Sequence, residues 1–255
     1  MYDDFTFAGK SCRDFGAHAF FGETTTIGTT ISRNLYALPG GIEAEIGEAS
    51  YKSVTRKVTL TPMDGREADE TFCRRIVGWL CAQRGRMILD RDPEVYRICS
   101  FDKAAELDNK SWPDGCIQLT ATLQGLAYAT HAQTATATTG GGKATIRAGF
   151  DTDVAAPLRV DIKVTSGKVT AATIVVGGKS LALSGLDAAA GQTIRYEAGD
   201  ARTDLLPILS VDGVQRFGTV KAWRRLKVTR GQSIGIMLTG GEAVVTAYLR
   251  GRWIA

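Results

Sequence analysis

The stretch Cys116-Ile-Gln-Leu-Thr-Ala-Thr-Leu-Gln124 decides the fold class of this chain. Its apolar and polar residues alternate, which is typical of a strand with one face on a core and one face in water. A second segment, residues 52–61, is rich in β-branched residues and places its apolar side chains on one face together with Arg56. The sequence therefore predicts a sheet at the centre of the first half.

One helix is predicted between these two strands. Asp64 and Glu67 resemble a capping box at its start, and Gly85 is a suitable end. Apolar residues at helical spacing form a stripe that would pack on the sheet, namely Phe72, Ile76, Val77, Leu80 and Cys81. After the helix, residues 86–89 and 95–101 are predicted strands around a turn at Asp90–Pro93.

The second half shows short β segments separated by two-residue glycine turns. Glycine tolerates the positive φ that tight hairpin turns require. The pattern predicts hairpins that join 158–164 to 169–176, 169–176 to 181–183, and 233–238 to 244–254. Short strands at this spacing, without a helix, indicate a β-sandwich.

Composition changes near residue 132. Residues 1–132 carry 15 Lys and Arg against 18 Asp and Glu, a net charge of −3, while the remainder carries 16 against 9, a net charge of +7. The segment His131–Lys143 is small, polar and poor in core-forming residues, which favours a linker or an exposed loop. We therefore predict two domains, 1–132 and 133–255.

Several classes of protein are disfavoured by composition. No apolar run is long enough for a membrane span, and the start lacks a signal-peptide pattern, so we expect a chain without a membrane partner. The five cysteines form no CxxC pair and are expected to be reduced thiols. His18 and His131 are isolated, and we predict no enzyme activity, no metal and no cofactor.

Two kinds of motif resemble ligand sites, but each lacks residues that such a site requires. Gly140-Gly-Gly-Lys143 invites a phosphate-loop interpretation, yet Ala137 and Ala144 stand where that loop needs Gly and Ser or Thr. The carboxylate pairs at 90/92 and 151/153 lack the further oxygen ligands that calcium requires. Solvated turns are the simpler interpretation of both pairs.

A mixed aromatic and cationic face in the second half is the only candidate site. Such a face could stack on sugar rings or meet polyanions. The alternative, which we favour, is that Trp223 and Trp253 belong to the core and the arginines are ordinary outer-face residues. The candidate residues are Trp223, Arg224 and Arg225, with Tyr248, Arg250 and Arg252 placed on one face of the last strand by a period of two.

Motifs along the whole chain resemble the distal tail (Dit) proteins of long-tailed bacteriophages. Each motif is degenerate, and their order and spacing carry the resemblance. They are Phe5–Gly16 with its Asp-Phe-Gly end, Leu38–Gly41, Trp79–Arg97, Phe101–Ala104, Val175–Leu181, Gly231, Gly240-Gly241 and Arg250–Trp253.

The resemblance implies a mainly β protein with an N-terminal ring-forming β-sandwich carrying one helix and a C-terminal galectin-like or carbohydrate-module-like sandwich. It implies a non-enzymatic virion protein at the distal end of a phage tail, assembled in the host cytoplasm. Its implied partners are five further copies in a hexamer, the tail tube protein, the tail tip or hub protein, and receptor-binding or baseplate proteins. DNA would only pass through the lumen. The competing hypothesis is a carbohydrate-binding module that aids host adsorption.

The means of ring assembly can also be predicted. Long strands at 52–61 and 116–127 would offer sheet edges for a neighbour to complete. The second domain, at +7, would repel its own copies. We therefore expect residues 1–132 to form the oligomer and residues 133–255 to stay monomeric.

Overall fold

The structure is a computed structural model. It describes residues 2–22, 29–33, 35–38, 42–45, 49–102, 105–108, 114–147, 149–200, 206–220 and 223–254, with the backbone alone for 35–38, 42–45 and 219. Within these residues the chain is mainly β, which confirms the predicted fold class. It divides into two compact units, one running up to Thr130 and resuming at Trp253, the other spanning His131–Arg252.

The first unit contains one α-helix among its described residues, α1 (Glu70–Leu80), and a 3-10 helix at Cys12–Phe15. Its strands are β1 (Phe5–Phe7), β2 (Lys10–Ser11), β3 (Ala17–Phe21), β4 (Ile31–Ser32), β5 (Leu35–Leu38), β6 (Ile42–Glu45), β7 (Ser50–Tyr51), β8 (Val54–Pro62), β9 (Gly85–Leu89), β10 (Asp92–Phe101), β11 (Glu106–Asp108) and β12 (Cys116–Ala129).

The second unit is built from strands, with a 3-10 helix at Phe217–Thr219. The strands are β13 (Gln133–Thr138), β14 (Lys143–Ile146), β15 (Ala156–Ser166), β16 (Lys168–Val176), β17 (Lys179–Ala189), β18 (Thr193–Glu197), β19 (Ile208–Val211), β20 (Val214–Gln215), β21 (Lys227–Val228), β22 (Ile234–Thr239) and β23 (Glu242–Leu249). The last strand, β24 (Arg252–Ile254), pairs with β12.

A nine-stranded sheet organises the first unit. Its order is β2-β1-β9-β10-β12-β8-β3, and β11 and β24 also pair with β12. The two strands predicted to offer free edges, β8 and β12, therefore lie in the interior with neighbours on both sides. That prediction was wrong because a strand's length does not show whether it lies at an edge of the sheet.

The helix is shorter than predicted at both ends. Asp64 and Gly65 have φ of +63° and +65° and form a turn, so the helix begins later, with Asp69 as its N-cap accepting from the backbone N–H of Phe72 at 2.6 Å. It ends at Leu80, and Gly85 opens β9. The buried side chains of the helix are Phe72, Ile76, Trp79 and Leu80. The predicted stripe lacked Trp79, and it included Val77 and Cys81, which are only partly buried.

Two facing sets of strands form the second unit. One sheet has the order β13-β23-β15-β18-β19-β20, with β21 pairing β15, and the other has the order β14-β22-β16-β17. Their inner faces enclose one apolar cluster that is made mostly of Val, Ile, Leu and Ala. This is the aliphatic core of a β-sandwich.

Two of the three predicted hairpins are crossovers between the sheets. Only β16 and β17, joined at Gly177-Gly178, pair with each other. The chain passes from β15 to β16 at Gly167, and from β22 to β23 at Gly240-Gly241. A Cβ on Gly167 would lie 2.9 Å from the Cα of Gly241, so these crossovers pack backbone against backbone. Glycine at these positions permits both the tight turn and the close approach of the two crossovers.

The predicted linker is a strand. Gln133–Thr138 pairs with β23 over its whole length, and Ala135 and Ala137 pack against the core while the threonines face outward. The predicted turn at Pro39–Gly41 and the motif residues Lys103 and Ala104 lie outside the described residues. No helix within the part of the chain that is described is long and apolar enough to cross a membrane.

Candidate functional surfaces

Trp223 packs on the core of the second unit. Its ring centroid lies 5.4 Å from that of Tyr196 and 5.5 Å from that of Phe217. The Tyr196 hydroxyl donates to the carbonyl of Arg224 at 2.7 Å and accepts from the N–H of Leu226 at 2.9 Å, and burial raises the pKa of Tyr196 to about 12. The side chains of Arg224 and Arg225 are exposed. Trp223 is therefore a packing residue, and a ligand role for Arg224 and Arg225 remains a prediction.

Arg252 does not share an outward face with Tyr248. The strand β23 ends at Leu249, and the alternation of partly exposed and buried residues continues to Arg250 but not to Arg252. A ligand role for Tyr248 and Arg250 remains a prediction. Arg252 is only 2% exposed, donates to the carbonyl of Ala155 at 3.2 Å and forms an ion pair with Asp200. The predicted surface role of Arg252 was therefore wrong, since a buried and paired guanidinium cannot meet a ligand.

The partners of Tyr248 come instead from the neighbouring strands. Arg159 of β15 lies opposite Tyr248, and its guanidinium carbon is 4.5 Å from the centre of the Tyr248 ring, a cation–π contact. The next pair along the same face of these strands is Asp161 and Thr246, followed by Lys163 and Val244. On the other side, Asp161 faces Arg195 and Lys163 faces Thr193 of β18.

These residues line an open cleft of about 380 Å³ on the outer face of the larger sheet. We call it the outer-face cleft. Its lining combines charged and hydroxyl side chains with a similar extent of apolar surface. The lining residues are Asp161, Lys163, Thr193, Arg195, Ser210, Asp212, Gly213, Val244, Thr246 and Tyr248.

Asp161 holds two arginines in fixed orientations, Arg195 in this cleft and Arg159 at its rim. Its carboxylate accepts from Nε and Nη2 of Arg195 at 2.9 and 3.0 Å, and from Nη2 and Nε of Arg159 at 2.7 and 3.3 Å. Burial alone would raise the pKa of Asp161, but the hydrogen bonds from Arg159 and Arg195 lower it below its ordinary value. The carboxylate therefore stays ionised and acts as a positioning group for both guanidinium planes.

A second polar cluster lies at the N-terminus of the first unit. Asp4 is 2% exposed and accepts from Nε of Arg13 at 2.9 Å, from the N–H of Ala19 at 3.0 Å, and contacts Nδ1 of His18 at 3.1 Å. Burial would raise the pKa of Asp4, but these hydrogen bonds lower it. The ring of Tyr2 stacks on His18 with centroids 3.8 Å apart. This cluster fixes His18 in a structural position.

The glycine-rich loop at 140–143 already holds a carboxylate. Glu242 accepts from the N–H of Gly142 at 3.1 Å and from the Thr139 hydroxyl, and the Thr139 bond followed by that of Gly142 lowers the pKa of Glu242. An ionised carboxylate at these donors would repel a phosphate. The loop is therefore a turn between β13 and β14 whose donors bond to Glu242 of β23.

The described residues contain no group of three or more His, Cys, Asp or Glu side chains arranged to hold a metal ion. All five cysteines are free. Burial raises the pKa of Cys12 to about 11 and that of Cys99 to about 12, so both thiols stay protonated near neutral pH.

Sequence patterns identified Tyr248 but not the rest of the outer-face cleft. Arg159, Asp161 and Lys163 alternate with apolar residues along β15, and that alternation places them on one face. Arg195 joins them only through the pairing of β15 with β18, which lie far apart in the chain. The sequence gives no signal for that register.

A known phage structure resembles this chain over nearly its whole length. No protein-family model and no curated protein matches the sequence. The Dit protein of phage SPP1, described as a paradigm of the hub of the adsorption apparatus in phages that infect Gram-positive bacteria, matches with a TM-score of 0.63 and 10% identity, over 99% of this chain and 100% of that one.

Two further structures match more weakly. The baseplate of phage P2 in its activated conformation matches with a TM-score of 0.45 and 11% identity, over 91% of this chain and 90% of that one. A family 86 glycoside hydrolase in complex with neoagarooctaose reaches a TM-score of only 0.23, over 79% of this chain and 33% of that one. These weaker likenesses carry no argument about function.

The match to SPP1 Dit spans both units. The family resemblance is thereby confirmed at the level of fold, and the described part of the chain has a fold similar to that of a phage distal tail protein.

Proposed function

We propose that this protein is a non-enzymatic structural component of a phage tail, at the hub that joins the tail tube to the tail tip or baseplate. The observation that carries the proposal is the extent of the fold likeness, which covers 99% of this chain and all of the SPP1 Dit chain. A shared β-sandwich alone would match one unit. A match over both units in the same order supports a shared role.

The first unit is the part that we assign to a homo-hexameric ring. Its sheet edges bear on how such a ring could form. The outer edge of β3 is occupied by the N-terminal segment, because Asp3 N–H donates to the carbonyl of Ala19 at 2.8 Å and Phe21 N–H donates to the Asp3 carboxylate at 3.4 Å. A neighbour cannot add a strand there. At this edge, copies of the first unit would therefore meet through side chains, which leaves β2, at the other end of the strand order, as the edge that a neighbour could extend.

The charges of the two halves suit passage of DNA through the ring. Residues 1–132 have a net charge of −3, which would keep DNA from adhering to a lumen that they line. Residues 133–255, at +7, are placed outside the lumen in this proposal. There the second unit would meet tip, baseplate or receptor-binding proteins. The location is the distal end of the virion, after assembly in the host cytoplasm.

Imaging of the purified full-length chain tests this role. Native mass spectrometry should give six copies of the 27.3 kDa chain, and negative-stain electron microscopy should show rings with a central opening. If the chain alone is monomeric, the same measurements are repeated with its tail tube protein. A monomer under both conditions, up to about millimolar concentration, would contradict the proposal.

A further inference from the structure

We propose that the outer-face cleft of the second unit binds an acidic saccharide, meaning a sugar that carries a carboxylate or a phosphate group. This inference goes beyond the structural role of the chain. It concerns a surface of the second unit alone, and it stands whether or not the first unit forms a ring.

The cleft presents fixed donors to a ligand. Asp161 engages Nε and Nη2 of both Arg159 and Arg195, which leaves Nη1 of each arginine without a hydrogen-bond partner among the described residues. Both guanidinium groups are thus oriented before a ligand arrives, so binding loses little side-chain entropy. A planar guanidinium with a free edge is suited to a carboxylate or phosphate.

Lys163 adds a cation to the lining of the outer-face cleft. It lies two residues from Asp161 on β15 and opposite Thr193 of β18, with its side chain exposed. Among the described residues it has no ion-pair partner. The cleft and its rim hold three cations, Arg159, Lys163 and Arg195, and three carboxylates, Asp161, Asp212 and Glu197, the last of which lies opposite Arg159 on β18. Asp161 is shared by the two arginines, so the groups left to meet an added negative charge are the Lys163 ammonium and the outer edges of the two guanidinium groups.

The remaining lining indicates a polyhydroxylated ligand. Thr193 and Thr246 present partly exposed hydroxyl groups, that of Thr246 lying 3.3 Å from the Thr136 hydroxyl, and Ser210 is only 6% exposed. Val244 is the only aliphatic side chain in the lining. Tyr248 supplies an aromatic ring on which the C–H face of a sugar can pack. A volume of about 380 Å³ is within the usual range for small-ligand clefts.

An extended peptide fits this surface less well. Peptides often bind by adding a strand to a free sheet edge, where main-chain hydrogen bonds supply the affinity. The cleft lies on the strands β23, β15 and β18, and each of them is paired with a strand on both sides. Recognition in the cleft must therefore use side chains, and those present are cations and hydroxyls.

Calorimetry on the full-length chain tests the proposal with four probes. Trigalacturonate carries sugar carboxylates, an oligomer of glycerol phosphate with glucosyl substituents carries phosphates, maltotriose is the neutral sugar, and hexaglutamate is an anion without sugar. We expect at least one acidic saccharide to bind at least about tenfold more tightly than maltotriose and hexaglutamate. Binding should weaken as salt rises. The two acidic probes distinguish a carboxylate site from a phosphate site.

Lys163→Gln locates the binding in the cleft. The variant removes an exposed, unpaired charge and should weaken binding of the acidic saccharide about tenfold without changing the melting temperature. Arg195→Lys keeps the charge but loses the planar fork, and should weaken binding at least as much. Lys179→Gln, an exposed lysine on β17 of the other sheet, is the matched control and should bind as the wild type does.

Three outcomes would overturn the proposal. They are no binding of either acidic saccharide up to about 10 mM, equal binding of maltotriose, and equal binding of hexaglutamate, which would indicate an acidic protein partner instead. Equal loss of affinity in Lys163→Gln and Lys179→Gln would also overturn it, because the effect would then reflect net charge and not the cleft.

Discussion

The two units bury different kinds of side chain. The first unit encloses an aromatic cluster in which the ring centroids of Phe5 and Trp79 lie 5.7 Å apart and those of Phe7 and Phe101 lie 5.2 Å apart. The indole of Trp79 donates to the carbonyl of Phe7 at 3.2 Å, which ties the helix to the sheet. The second unit encloses a mostly aliphatic cluster between two sheets.

This difference determines where each unit is vulnerable. Among the described residues of the first unit, one short helix packs on the sheet, and it contributes four large side chains to the buried cluster. The second unit spreads its burial over many small residues but depends on glycines where the chain changes sheet. A buried side chain should therefore be the sensitive point of the first unit, and a crossover glycine that of the second.

Leu80→Asp should have the largest effect. Leu80 is fully buried in the helix stripe, and an unpaired buried carboxylate costs several kcal/mol, comparable with the total stability of about 5 to 15 kcal/mol for a domain. We expect insoluble protein, or a first unit that proteases digest while the second unit survives. Soluble yield and limited proteolysis are the measurements.

The control is Thr71→Asp, which introduces the same residue at an exposed site in the first turn of the same helix. A carboxylate there is neutral or slightly stabilising because of the helix dipole. Wild-type yield and melting temperature in Leu80→Asp would contradict the observed packing of the helix.

Gly241→Ala should have the next largest effect. The residue has φ of +94°, and an added Cβ would lie 2.6 Å from the carbonyl oxygen of Ser166 and 3.1 Å from the nitrogen of Lys168. Backbone strain and the clash with rigid backbone should together lower the free energy of unfolding by about 3 kcal/mol. Urea denaturation of the full chain measures this loss.

Comparison with Gly178→Ala separates the cost of backbone strain from the cost of the clash. Gly178 has φ of +75° in the β16–β17 hairpin, and a Cβ there would meet nothing within 4 Å. Strain alone should cost about 1 to 2 kcal/mol. Equal losses in both variants would show that the contact between the crossovers contributes nothing to the stability of the second unit.

Local patterns predicted the elements of both units better than their pairing. Alternation of apolar and polar residues identified β8, β12 and the long strands of the second unit, because successive side chains of such a strand face the core and the solvent alternately. It could not assign β15 and β16 to different sheets, since a glycine turn has similar local chemistry in a hairpin and in a crossover. The strand at 133–138 was missed because its buried residues are alanines, which give a weak apolar signal.

The same limit applies to the candidate surface. A period of two placed Arg250 and Arg252 beside Tyr248, but the strand ends at Leu249, and Arg252 turns inward to Asp200. Arg159 and Arg195 form the observed surface through strand pairing across long chain separations. Charge alternation within one strand was visible in the sequence, whereas its neighbours across the sheet were not.

Asp4→Asn should have a smaller effect that depends on pH. The pKa of Asp4 in the folded protein lies below its ordinary value of 3.8, so the ionised carboxylate stabilises the first unit above that pH, and the contribution is lost as pH falls through the folded-state pKa. Asparagine should lower the free energy of unfolding by about 2 kcal/mol at pH 7. The difference between wild type and variant should shrink toward pH 3.

Thermal melts at pH 7 and pH 3 measure this effect. Asp64→Asn is the matched control, because Asp64 is exposed and its φ of +63° suits asparagine. It should change stability little at either pH. If Asp4→Asn destabilised the protein equally at both values, the stabilisation would come from packing and not from the ionised carboxylate.

Gly78→Ala should have the smallest effect and the opposite sign to Gly241→Ala. Gly78 is exposed within the last turn of the helix, and an added Cβ would meet nothing within 4 Å. Alanine reduces the conformational freedom of the unfolded chain and favours the helix, so the free energy of unfolding should rise by about 0.5 to 1 kcal/mol. Urea denaturation followed by tryptophan fluorescence can resolve this change, because Trp79 lies on the same helix. A loss of stability would mean that Gly78 is needed for a close approach, and the first unit would then share the glycine dependence assigned here to the crossovers of the second.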